Sequence, residues 1–269
     1  MPAPPQPQAP DKAALLNLAP FAALPLSQVR APTQDDALAA AWADLSAQRF
    51  IGFDTESKPT FSKGEVSGGP DVVQFATVST AYVFQLRHAA SLDLVRQVLA
   101  ERGVIKVGFG LGQDQQQLRQ RLGACAQPLL DLDLVFRRQG YQRTIGIKSA
   151  VAILFNQRFV KSKRITTSNW AQHPLEPRQL LYAANDAWVA LQVLHALGLP
   201  EHQLPVWADG VPPATETSAR QATSDRLTGQ PGAGAGAKAE AGAATGASEG
   251  PTRRPRRRRR PRSAPAAGT

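Results

Sequence analysis

RFIGFDTE, residues 49–56, begins as a strand and ends in two acids. Phe50, Ile51 and Phe53 are the aromatic and β-branched side chains of a short buried strand. Asp54 and Glu56 stand two residues apart at its end, so they project from one face of it. Carboxylates held side by side raise each other's pKa unless a cation comes between them. Taken alone, the pair reads equally well as a solvated strand end running into a turn.

The neighbouring segments extend the pattern. DVVQFATV (71–78) and AYVFQL (81–86) read as strands joined in a hairpin at Ser79-Thr80, and GVIKVGF (103–109) as another buried strand. LDLVRQVLAER (92–102) has helical spacing. GQDQQQLRQRLG (112–123) reads as a helix stopped by Gly123, and LLDLDLVFRRQG (129–140) as a strand entering a helix. IKSAVAILFN (147–156) is helical, and so is the segment from Pro177 to Gly198, with proline at its first turn and glycine past its last. A hairpin followed by strand–helix alternation predicts an α/β fold with a sheet of mixed direction.

Further acids lie on these elements. Asp114 follows the glycines Gly108, Gly110 and Gly112 near the start of a helix, where a carboxylate also suits the helix dipole. Tyr182 and Asp186 are four apart in one helix and share a face. The order Asp-x-Glu on a strand, Asp on a later helix and Tyr-x-x-x-Asp on a last helix resembles the DEDDy branch of the 3′–5′ exonucleases. IKSAVAILFN followed by SNWAQHPLEPRQLLYAANDAWVAL is similar to the ribonuclease D family and to the exonuclease domain of the Werner syndrome protein. The likeness runs from about Arg49 to Leu197. It implies a ribonuclease H-like fold, with a mixed five-stranded sheet flanked by helices. It also implies that Asp54, Glu56, Asp114 and Asp186 bind two divalent cations, Mg²⁺ or Mn²⁺, and that Tyr182 orients the attacking water. The implied reaction takes DNA or RNA with a free 3′ end and releases nucleoside 5′-monophosphates. Two such ions suit an all-carboxylate set, because hard cations prefer oxygen ligands.

Composition narrows the alternatives. The 269 residues carry 31 Lys and Arg against 21 Asp and Glu, a net charge of +10. One cysteine, Cys125, excludes a disulfide framework and any multi-cysteine metal site. No apolar run reaches membrane-spanning length, no membrane partner is expected, and a cytoplasmic or nucleoid-associated protein (nuclear in a eukaryote) is the expectation. The charge is concentrated: residues 211–269 hold 11 basic and 4 acidic residues, with eight arginines between Arg253 and Arg262. Residues 1–24 read as a flexible lead-in, 25–208 as the catalytic domain and 209–269 as a disordered Ala/Gly/Pro-rich tail. Lys148, Lys161, Lys163 and Arg164, together with Arg256, Arg257, Arg258, Arg259 and Arg260 of the tail, are candidate phosphate contacts. Each also reads as solvated charge. Trp170 reads as a packing anchor beside the site. The rival reading is a nucleic-acid-binding module that keeps the fold but performs no chemistry. A two-carboxylate glycosidase would leave Asp114, Tyr182 and Asp186 without a role.

Overall fold

The structure, a computed structural model, describes residues 7–60 and 68–208. The arginine cluster, with Arg256 to Arg260, lies outside the described residues. In chain order the elements are α1 (Lys12–Leu16), β1 (Val29–Arg30), α2 (Asp35–Ser46), β2 (Phe50–Glu56), β3 (Val72–Ala76), β4 (Ala81–Gln85) and α3 (Ala89–Ala100). Then come β5 (Ile105–Gly108), α4 (Gly112–Leu122), β6 (Leu129–Asp131), α5 (Leu132–Arg138), α6 (Ile147–Phe155), α7 (Lys163–Thr166) and α8 (Pro177–Leu197). The sheet is mixed as expected but has six strands rather than five, in the order β1-β4-β3-β2-β5-β6. The sixth is the two-residue β1, parallel to β4, too short to carry a period-two signal. β2, β3 and β4 form an antiparallel meander, while β5 and β6 run parallel to β2.

Alternation along β2 sorts its side chains into two layers. Ile51 and Phe53 enter a core built with α2, α3 and α4, where Phe53 stacks on Phe75 at 5.7 Å between ring centres. Full burial of a side chain of that size contributes about 1.5–3 kcal/mol. Gly52, Asp54 and Glu56 face the other layer, in which the alanines Ala183, Ala184 and Ala187 of α8 pack on Val72, Ala76 and Val83. The close approach has one steric condition: a Cβ on Gly52 would fall 1.9 Å from the carbonyl oxygen of Ala187. α8 therefore rests on the strand backbone itself.

On β5, between β2 and β6, Lys106 is fully buried and donates to the carbonyls of Glu101, Val104 and Gln127 at 2.8, 2.9 and 2.6 Å. Three acceptors match its three N–H bonds, which is what a buried ammonium requires. Part of the segment read as a lead-in lies against the body. The Phe21 N–H donates to the Arg158 carbonyl at 2.9 Å, and the Arg158 N–H to the Ala19 carbonyl at 2.7 Å. Leu24 is buried and exchanges backbone bonds with the Asn185 amide. Phe21 and Leu24 supply the apolar surface that offsets the ordering of this stretch.

Candidate active site

β2 and α8 bring their acids together. One carboxylate oxygen each from Asp54, Glu56 and Asp186 lie within 4.8 Å of one another. Asp54 and Glu56 are half-buried, and Asp186 is 3% exposed. Asp114, from the first turn of α4, stands beside this trio and accepts a hydrogen bond from the Thr55 hydroxyl. Its helix is positioned by Asp131, whose carboxylate accepts from the N–H groups of Gly110, Leu111 and Asp133 at 3.0, 2.9 and 3.0 Å. Gly110 turns with φ of +67°, which few side chains tolerate, and so lets β5 double back into α4 at this point.

Burial and mutual repulsion hold protons on this cluster. Burial first, then the charges of Asp186 and Asp114, lifts Asp54 well above the usual carboxylate range. Glu56 is pushed up to about 9 by burial and then by Asp54 and Asp186. Burial also raises Asp114, and it raises Asp186 to about 6 against the opposing pull of Lys161. The Asp186 Oδ1 atom is buried and accepts no hydrogen bond among the described residues. An orphaned buried carboxylate oxygen is costly, and a hard divalent ion removes that cost with the ligand type it prefers. The donor set is all oxygen, convergent and short of positive charge, so the residues fit a divalent cation.

Tyr182 lies one turn before Asp186. Its hydroxyl is 2.7 Å from the Thr166 hydroxyl, and its ring is 5.8 Å from that of Trp170. Burial, followed by the Asp186 charge, raises it to about 12, so it is a neutral phenol at pH 7. Trp170 is fully buried, with its indole N–H donating to the Thr166 carbonyl at 3.2 Å, as a packing anchor would be.

The basic candidates separate. Lys148, Lys163 and Arg164 are exposed. Lys161 turns inward, its ammonium 2.6 Å from Asp186 Oδ2 and 5.0 Å from the centre of the Tyr182 ring. Burial works against its charge, but Asp186, Asp54 and Tyr182 together hold it above the ordinary lysine value.

The sequence reading leaves out three groups: Thr55, Asp131 and Gln74. Gln74 pairs with Asp54 across β2 and β3 and is fully buried, and neither end of its amide has a partner among the described residues. A lone polar side chain inside the apolar run VVQFA is the signal that marks it.

The family model described as 3′–5′ exonuclease matches residues 29–199. A 3′–5′ exonuclease of Arabidopsis thaliana is 30% identical over 156 residues, covering 57% of this chain and 54% of the relative. The mouse bifunctional 3′–5′ exonuclease/ATP-dependent helicase WRN is 27% identical over 159 residues, covering 57% of this chain and 11% of that protein. The chain thus spans about half the length of the first relative and a small part of the second. Among solved structures, the Nibbler EXO domain of Aedes aegypti superposes with a TM-score of 0.55 at 25% identity, covering 67% of this chain and 90% of that one. That likeness makes the fold ribonuclease H-like.

Proposed function

Because the chain belongs to the 3′–5′ exonuclease family, we propose that it hydrolyses phosphodiester bonds of DNA or RNA from the 3′ end. Asp54, Glu56, Asp114 and Asp186 would hold two Mg²⁺ or Mn²⁺ ions. The observation that carries this reading is the convergence of three carboxylates from β2 and α8, with an orphaned oxygen on the most buried of them. Two such ions supply a more acidic water, charge stabilisation at the phosphorus and support for the leaving oxygen.

The chain's own residues set the geometry. The Tyr182 hydroxyl, steadied by Thr166, orients the attacking water rather than taking its proton, since a phenol raised to about 12 is a weak base at pH 7. The water oxygen would join the phosphorus as its proton passes to solvent, the bond to the 3′ oxygen of the preceding nucleotide would break with that oxygen taking up a proton, and a nucleoside 5′-monophosphate would leave. Lys148, Lys163 and Arg164, exposed and lying in sequence between Asp114 and Tyr182, and the arginines beyond residue 252 would attract phosphates without contributing to the chemistry.

The test is a panel of 3′-labelled and 5′-labelled DNA and RNA, single-stranded and recessed. Each is incubated with Mg²⁺, with Mn²⁺ and with EDTA, alongside Asp54→Asn and Asp186→Asn. Stepwise shortening of the 5′-labelled strands with either metal, absent in EDTA and in both variants, is the expected result. Metal-independent binding without shortening of any strand would instead establish the non-catalytic module.

A further inference from the structure

Lys161 occupies a place in the acid cluster that its sequence neighbours do not share. It lies in the loop between α6 and α7, and that loop is anchored on both sides of the chain. Arg158 is bonded through its backbone to Ala19 and Phe21, and Phe159 is buried in the α8 core. From this fixed base the lysine stem reaches inward, its side chain 22% exposed, and sets its ammonium on Asp186 Oδ2. The ammonium also lies over the ring of Tyr182, which suits a partly desolvated cation. It is thus shared between both α8 residues of the proposed chemistry. A part-buried charge of this kind persists only when it is paired. Here the pairing uses an oxygen that a divalent cation would need. Lys161 brings one positive charge where two divalent ions would bring four, so the lysine cannot take their place.

We propose that Lys161 is an internal counter-ion: its ammonium holds Asp186 in the unloaded protein and is displaced outward when a divalent cation binds. The lysine then lowers the protein's affinity for the metal while keeping the empty acid cluster from repelling itself apart. This rests on the reading of the cluster as a metal site, and the experiment separates the two.

Mn²⁺ binding to the full chain is measured by calorimetry, without nucleic acid, for the native protein and for Lys161→Met, which keeps the stem and removes the charge. The variant is expected to bind Mn²⁺ about tenfold tighter, an effect between those of an exposed and a buried ion pair. It is also expected to melt at a lower temperature than the native protein in EDTA. Equal or weaker Mn²⁺ binding by the variant overturns the proposal and leaves the metal site standing. No Mn²⁺ binding by the native protein overturns both. A second measurement needs no variant: acetylation of Lys161 in the native chain is followed by mass spectrometry with EDTA and with saturating Mn²⁺. Several-fold faster labelling with Mn²⁺ is expected, and equal rates in the two conditions overturn the displacement.

Discussion

Three carboxylates around one point with Asp114 beside them, and Lys161 as the one lysine paired with them among the described residues, settle their repulsion in the metal-free protein by keeping protons. Glu56 shows the consequence for stability. Its folded value, about 9, lies above the ordinary value of 4.5 that it takes when unfolded, so the folded protein binds more protons across that interval. Linkage then gives a contribution that is fully present below about pH 4.5 and is lost as pH rises through the folded value. Asp54, Asp114 and Asp186 shift in the same direction. The melting temperature in EDTA should therefore fall between pH 5 and pH 9 more steeply than it does with saturating Mn²⁺, which neutralises the same groups. Parallel curves from differential scanning calorimetry in the two conditions would remove the cluster as the cause. Tyr182→Phe makes a separate test, because the ring still packs near Trp170 while the hydroxyl beside Thr166 is lost. The single-turnover rate should drop about 10–1000-fold with little change in substrate affinity. An unchanged rate would leave Tyr182 with packing alone.

The contact between β2 and α8 sets what the elements can tolerate. With Ala187's carbonyl oxygen 1.9 Å from where a Cβ would stand, Gly52→Ala has to push the helix off the strand. Overpacking of this kind costs about 1–3 kcal/mol, and it separates Asp186 and Tyr182 from Asp54 and Glu56 by the same movement. Urea unfolding should show the loss of stability. Hydrolysis should fall further than stability alone explains, since displacement of about 1 Å in a reacting site can cost about a hundredfold. Both would remain near native values if the helix could slide without moving the acids. Much of this layer was legible in the sequence. α8 is long, opens with Pro177 and stops at Gly198, and β2 and β3 carry dense aromatic and β-branched runs. α2 had no such marks. Its buried stripe is Leu38, Ala41 and Leu45 in an alanine-rich stretch that blends into the Pro/Ala-rich beginning of the chain, so its sequence does not mark it as a separate helix. The role of Asp131 was equally hidden, because it depends on three backbone N–H groups, two of them 20 or 21 residues distant, that only the folded chain brings to it.

At the scale of the whole molecule, sequence order and charge placement matter more than any single contact. The net charge of +10 is carried mainly by residues 211–269, which contain none of the candidate catalytic residues. A chain ending at Gly210 should keep single-turnover cleavage at saturating substrate and lose salt-sensitive affinity. The slope of log K against log salt on single strands should flatten by about 3–4 units if the segment neutralises some four to six phosphates. Identical slopes for the two chains would leave these arginines without a part in binding. The final consequence concerns time. α8 is the last α-helix among the described residues, and it brings Asp186 and Tyr182 to acids laid down on β2 about 130 residues earlier. At about 5–20 residues per second of synthesis, the first acids wait on the order of ten seconds for the last. Until α8 clears the ribosome and settles on Gly52, the nascent chain holds an incomplete acid cluster. Under the proposed reading it is therefore inert towards the very messenger that encodes it.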